Sequence, residues 1–468
     1  MDSALLRLRA VLPAAFLAVF PVSFLASFPA SFPASFPASF PEMGFGVAGC
    51  AAAASVPEPN PASQPPQTPG NADNALIDLL EAQRDRLGPV LDDPAAHRVQ
   101  ILYTRIDRDA DGTPRFTDHG FRVDAEYFYP ASTVKLPVAA LALETLHRLD
   151  VDGLDRDTPM FTGVGSGPGT AGQTAALVHP RAPTGVPSVG HYVREIFAVS
   201  DNDAFNRLYE FVGQEPLHRA LQARGLTETR ILHRLSIPLS LEANRVTNPV
   251  RFARDGVTIH AQPQRRSTLD LRAPESIPLG RGEVVGSRLL PGPKEFAEKN
   301  AYPLAALHGT LRRLLFPDSV PPAQRFDLAE ADRAFLLRAM AQPPAETGID
   351  AWSDRTVHPD GYVKFLILGG DARELPDGLR IFNKVGQAYG FLIDAAYIVD
   401  LEAGVEFMLS AVVQVNANRI YNDNVYEYDT LGLPFLRELG MAVLELERER
   451  PRTHAPDLSA LRALFETH

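Results

Sequence analysis

The sequence predicts an α/β fold of the α+β type: one sheet assembled from sequence-distant strands, with an all-helical lobe inserted between them. Three observations predict it. Strand-like runs lie near the start of the folded part, strand-like runs return near its end, and the stretch between carries mostly helical periodicity.

Taken in order, Leu76, Ile77, Leu79, Leu80 and Leu87 fall near helical spacing, so the folded part opens with a helix from Asn74 to about Leu87. Partial alternation predicts strands over Val99 to Ile106 and Phe121 to Phe128, joined as a hairpin by the Asp/Gly-rich stretch between them. That stretch, with Asp107, Asp109, Asp111, Gly112 and Asp118, resembles a calcium loop. Its flanks are strand-like, however, and an acidic hairpin tip is the better account. Helices follow over Leu136 to Leu149, Val189 to Val212 and Ala331 to Met340, separated by Gly/Pro-rich loops such as 162–187. Residues 253–300 are polar, rich in Arg and Pro and weakly periodic, either an insertion folded over the surface or a mobile loop. Strand character resumes over Leu379 to Lys384, Gly390 to Val399 and Val405 to Val415, and an apolar-striped helix closes the fold from about Leu433 to Leu446.

Residues 1–73 differ from the rest. Arg7 and Arg9 precede a long apolar stretch, the charged-then-apolar order of an export signal. From Ala26 this becomes a tandem Ala-Ser-Phe-Pro repeat, and a proline every fourth residue is incompatible with a spanning helix. The segment ends in Val47-Ala48-Gly49-Cys50, which resembles the lipobox of bacterial lipoproteins; a chance cysteine after an ordinary signal is the alternative. The chain therefore divides into a signal segment with the repeat (1–49), a lipidated Cys50 with a Pro/Ala-rich linker (50–73), one enzyme-sized domain (74–450) and a C-terminal tail (451–468). This organisation places the domain in the periplasm or cell envelope, tethered to a bacterial membrane by lipid. A single cysteine excludes an intramolecular disulfide and any Cys-clustered zinc site. A net charge of −12 with no Lys/Arg run argues against nucleic-acid binding.

Of the 45 basic residues only five are lysines, at 135, 294, 299, 364 and 384, so arginine is the default cation. A retained lysine invites a question, because an ammonium can be tuned to lose its proton near neutrality and a guanidinium cannot. Lys135 lies three residues after Ser132, on the same face of a helix that should begin near Thr133, since Pro137 fits only within the first turn. The helix N-terminus favours the oxyanion made when Ser132 attacks a carbonyl, and a desolvated Lys135 can take the serine proton. Ser200-Asp201-Asn202 follows an apolar helical stripe; its hydroxyl can relay a proton and its carboxamide can bind a substrate amide, although, taken alone, the triplet is better read as a helix cap. Lys384-Val385-Gly386 ends a strand-like run, where a small residue on an edge lets a substrate backbone lie alongside.

The order Ser-x-x-Lys, Ser-Asp-Asn, Lys-x-Gly is the signature of class A β-lactamases and penicillin-binding proteins. The chain resembles the class A β-lactamase-like family of penicillin-recognising serine hydrolases over about residues 75–448, and Asn206 adds a further local match. The resemblance implies an antiparallel sheet flanked by helices with a helical lobe between the first and last motifs. It implies Ser132 as the acylated nucleophile, Lys135 as its base, Ser200 as proton shuttle, Asn202 at the substrate amide and Lys384 at its carboxylate. Gly386 leads into Gln387, whose backbone N–H, with that of Ser132, would form the oxyanion hole. Asn206 would hold the Ω-loop. Val385 replaces the usual threonine, and Gln387 is bulkier than usual. The Ω-loop stretch, Thr229 to Pro249, has no close copy of the usual deacylation motif, and Glu242 is the nearest carboxylate candidate.

The expected function is an exported serine hydrolase forming an acyl-enzyme with a small-molecule β-lactam or a peptidoglycan-like amide, acting as a monomer without cofactor or metal. A D-Ala-D-Ala peptidase or esterase with the same machinery, or a penicillin-binding sensor lipoprotein without turnover, are the alternatives. His191 reads as the top of a helix rather than a ligand, and Trp352 as a core or loop aromatic.

Overall fold

The computed structural model describes residues 74–466. The signal segment, Cys50 and the linker up to residue 73 lie outside the described residues. In chain order the principal elements are α1 (Ala75–Ala82), β1 (Gln100–Arg108), β2 (Pro114–Phe121), α2 (Lys135–Leu149), α3 (Val189–Ala198), α4 (Asn202–Val212), α5 (Gln214–Ala223), α6 (Leu304–Leu315), α7 (Glu330–Ala341), β3 (Leu379–Ala388), β4 (Phe391–Asp400), β5 (Val405–Gln414) and α8 (Leu433–Glu449). Among the described residues no helix is long and apolar enough to cross a membrane.

The five strands form one antiparallel sheet in the order β3-β4-β5-β1-β2, so strands from both ends of the domain meet at the β5–β1 pair. Every residue of β4 and β5 is buried, which explains why both read as continuous apolar runs rather than strict alternation. Ile393, Ala395, Tyr397 and Val399 face a core shared with Val138, Leu141, Phe205 and Leu311 of the helical lobe. Leu392, Ala396 and Ile398, one residue out of phase, face a second core with Leu76, Leu436, Leu439 and Val443 of the terminal helices. The sheet is thus the middle of three layers, and truncating a side chain such as Leu439 to Ala would cost about 2–5 kcal/mol.

Three expectations change. The second strand is Pro114–Phe121, not Phe121–Phe128. Arg122 and Asp124 take positive φ (52° and 54°), breaking the chain where apolar alternation suggested a strand, while the polar segment before it pairs with β1 as the sheet edge. The helix expected over Val189 to Val212 is two helices, separated at Val199–Asp201. Ser200 adopts φ 56° and the Asp201 carboxylate caps α4 by accepting from Ala204 N at 2.9 Å. Residues 253–300 fold over the surface: 257–262 pairs with 250–254, a hairpin joins 282–285 to 288–291, and 278–279 pairs with 294–295.

At the hairpin between β1 and β2 the acidic side chains have local partners. Asp109 pairs with Arg115, Asp111 accepts from Thr113 N, and Asp118 accepts from Thr104 Oγ1. Beyond α8 the tail returns along the fold, with Leu458 buried and Phe465 against Phe382 and Arg380.

Candidate active site

Ser132 sits in a single 3-10 turn, Ala131–Val134, that leads directly into α2. Pro137 falls in the first turn of α2, where its missing N–H costs nothing. Ala131 holds φ 48°, a left-handed conformation that costs about 1–2 kcal/mol in a non-glycine residue. The turn is pressed against β3: a Cβ on Gly386 would lie 2.7 Å from Pro130 O and 3.3 Å from Ala131 Cβ. Gly386 is therefore required by close approach rather than by its own dihedrals. Because β3 is the sheet edge, this contact sets Gly386 and Gln387 beside the nucleophile turn. Gln387 is exposed and Val385 is buried.

The two other motifs converge on the same place. Lys135 is completely buried. Its Nζ donates to Asn202 Oδ1 at 2.7 Å, to Ser200 Oγ at 3.3 Å and to the Ser200 carbonyl. Lys384 Nζ donates to Ser200 Oγ at 2.8 Å and to Val385 O at 3.0 Å. One hydroxyl thus bridges two lysines from different elements, and the positive φ at Ser200 turns it between them. The Ser132 hydroxyl is half-buried and makes no hydrogen bond to another described residue, so Lys135 is held by the Ser200–Asn202 segment and not by Ser132 itself.

The electrostatics follow from burial. Desolvation pushes the Lys135 ammonium well below the ordinary lysine range; Lys384 lowers it further and Asp201 opposes the shift. Lys384 is brought to about 7 by burial, with Asp394 opposing the shift and Lys364 adding to it. A lysine brought to about 7 and a second one held well below the ordinary range, joined by one hydroxyl, are arranged so that a proton could pass between them.

The Ω-loop stretch is fastened beneath this cluster. Asn206 Nδ2 donates to Leu235 O at 3.0 Å, and Leu235 N donates to Asn206 Oδ1 at 2.8 Å. Arg234, almost fully buried, pairs with Glu210 at 2.8 Å and donates to Val246 O at 2.9 Å. Asn202 Nδ2 donates to Ser236 Oγ at 2.8 Å, tying the loop to the substrate-amide position. Glu242 is not brought into the cluster. It lies on the short helix Leu241–Asn244 with its side chain 59% exposed and its carboxylate paired with Arg266. The physical reason is local: the Ser240 cap and the inward-turned Asn244, which bonds Arg234 N, direct the buried face of that turn away from Glu242.

Sequence reading missed the layer behind Lys384. Lys364, also fully buried, donates to Met340 O, Ile381 O and Asn383 Oδ1 at 2.6–2.8 Å, and Asn383 in turn donates to Asp394 Oδ1 at 2.7 Å. The rarity of lysine was a usable signal for Lys364. For Arg234 no signal existed, because one arginine among so many carries no information about burial.

A serine at a strained turn, a buried lysine one helical turn on, and a hydroxyl held between that lysine and another on a sheet edge are the arrangement that the three ordered motifs imply. The model of the β-lactamase enzyme family matches residues 115–269, the segment carrying Ser132, Lys135, Ser200 and Asn202. None of the curated proteins matches the chain by sequence. Among solved structures, a β-lactamase from Xanthomonas campestris is 19% identical with a TM-score of 0.43, over 79% of this chain and 98% of that one. A β-lactamase from Desulfarculus baarsii is 19% identical (TM-score 0.41, 78% and 97% covered), and one from Streptomyces albus G is 17% identical (TM-score 0.41, 77% and 98% covered). The similarity to the β-lactamase enzyme family thus covers the segment that carries the first two motifs.

Proposed function

We propose that the protein is an exported, lipid-anchored serine hydrolase that forms an acyl-enzyme at Ser132 with β-lactams or related amides. The observation that carries this reading is the Lys135–Ser200–Lys384 bridge, in which one hydroxyl joins two lysines that burial has moved toward their neutral forms. In the proposed reaction a substrate carboxylate pairs with Lys384 and its amide with Asn202, which brings the carbonyl carbon to Ser132. Lys135, neutral by virtue of its lowered pKa, accepts the Ser132 proton as Oγ bonds to carbon, directly or through one water. The carbonyl oxygen takes the electron pair beside the backbone N–H groups of Ser132 and Gln387. As the tetrahedral species collapses, the C–N bond breaks and Ser200 hands a proton to the leaving nitrogen, replaced from one of its two lysines. Export and anchoring rest on Arg7, Arg9, the apolar segment and Val47-Ala48-Gly49-Cys50.

Ser132→Ala should abolish labelling by a fluorescent penicillin while leaving the thermal midpoint unchanged; persistent labelling would overturn the assignment. The placement of Glu242 favours a second reading, a penicillin-binding protein whose acyl-enzyme is long-lived, because that carboxylate is engaged by Arg266. Intact-mass measurements over hours separate the two: rapid loss of the adduct marks a turnover enzyme, and persistence marks a sensor or a peptidase acting on other amides. Glu242→Gln should leave the release rate unchanged either way.

A further inference from the structure

On the far side of the Ser200 segment, two histidines and a glutamate converge from two parts of the chain. His191 and Glu195 stand one turn apart on α3, and His179 approaches from the loop before it. One nitrogen from each imidazole and one carboxylate oxygen lie within 4.8 Å of one another. His179 Nε2 is 3.3 Å from Glu195 Oε2, His191 Nε2 is 3.5 Å from Glu195 Oε1, and His191 Nε2 is 3.0 Å from His179 Nδ1. Ligands about 2.0–2.1 Å from a tetrahedral zinc ion are about 3.3 Å apart; His179 faces Glu195 with Nε2 and His191 with Nδ1, so its ring must turn to present one nitrogen before the three groups share an ion.

Burial is the second argument. His191 is 1% exposed and Glu195 is fully buried, yet His191 Nδ1 and Glu195 Oε2 have no hydrogen-bond partner. The group nearest that buried oxygen is the His179 imidazole at 3.3 Å, and a cation between them would hold it more strongly. The competitor is Arg181, which binds the other oxygen, Glu195 Oε1, at 3.0 Å through a side chain that is 39% exposed.

We infer that His179, His191 and Glu195 form a divalent metal site of the zinc type, with two imidazoles and one carboxylate as ligands and solvent in the remaining position. Asp201 N donates to Glu195 O at 3.2 Å, and Arg181 lies 3.7 Å from the Asp201 carboxylate. The ion would therefore brace the turn that presents Ser200 and Asn202. The site stands independently of the hydrolase reading, since its ligands belong to neither the nucleophile turn nor the lysine bridge.

The test is titration of the chelator-treated full chain with zinc chloride, followed by calorimetry and metal analysis, and with cobalt chloride for its visible absorption. One ion per chain is expected, with tetrahedral cobalt bands and a higher thermal midpoint on zinc addition. His179→Ala should weaken binding by at least about tenfold and abolish the zinc-induced rise, with the metal-free midpoint unchanged. Arg181→Ala should tighten binding. His179 lies partly exposed in a loop, so its variant tests the site even if His191→Ala fails to fold. No zinc binding at one ion per chain, or binding unaffected by His179→Ala, would overturn the inference.

Discussion

Lys135 and Lys364 are buried to the same degree, yet one faces the reactive serine turn and the other is sealed behind the sheet. Lys364 is held by two main-chain carbonyls and Asn383, with Asp394 one hydrogen bond further on, and its proton has nowhere to go. Burial brings it to about 7 while Asp394 pulls the other way, and Asp394 itself is raised to about 6 by the same desolvation. Lys135 also donates to a main-chain carbonyl, that of Ser200, and to the Asn202 carboxamide, but adds the Ser200 hydroxyl, and both residues are half-buried at the motif turn. The difference teaches that desolvation makes a lysine capable of giving up its proton, while the nature of its acceptors decides whether that capability is used. Fixed carbonyls make a structural plug, and a hydroxyl shared with a second lysine makes a relay.

The largest effect should come from breaking the relay. Lys135→Ala is expected to slow acylation by a fluorescent penicillin by about 10²–10⁴-fold, the usual worth of a positioned acid–base group, without lowering the thermal midpoint. Lys135→Arg should not rescue it, because a guanidinium stays charged. A loss below tenfold would put Lys135 in the same category as Lys364.

Next comes the plug. Lys364→Met leaves Asp394 and Asn383 buried without their cation and should cost about 3–5 kcal/mol in urea unfolding. The fraction that remains folded should still acylate, and a normal stability with lost acylation would instead bring Lys364 into the chemistry.

A smaller effect sharpens the roles of the two site lysines. Lys384 titrates at about 7, so its ammonium is present below that pH and lost above it. Acylation by a carboxylate-bearing substrate should therefore fall on the alkaline side of about 7, approaching tenfold per pH unit. Lys135 must be neutral to act, and because its value is depressed it sets the acid limb. Lys384→Arg should flatten the alkaline limb while leaving the acid limb in place, as read from labelling rates across pH.

Four of the five strands of the sheet, the helical middle and the three motifs were legible because each is local. Apolar runs, a proline in a first turn and short spacings on one helix face all report on neighbours in sequence. The edge strand Pro114–Phe121 was not legible, because an edge tolerates polar residues and its pairing comes from β1 rather than from its own pattern. The break at Ser200 hid inside a continuous helical stripe for a related reason: the cap at Asp201 and the apolar spacing on both sides are compatible with either conformation.

The amino-acid sequence alone thus determined which residues could do chemistry, since a scarce lysine beside a serine is a property of composition and spacing. Tertiary structure decided which of them are brought together. Burial lowered Lys135 and Lys384, packing of Pro130 onto Gly386 set the sheet edge against the nucleophile turn, and the pairing of Glu242 with Arg266 turned a candidate base toward solvent. Desolvation and close approach depend on groups brought from far along the chain, as with Pro130 and Gly386, and even the pairing of Glu242 with Arg266 joins residues from different elements, so no spacing pattern encodes them.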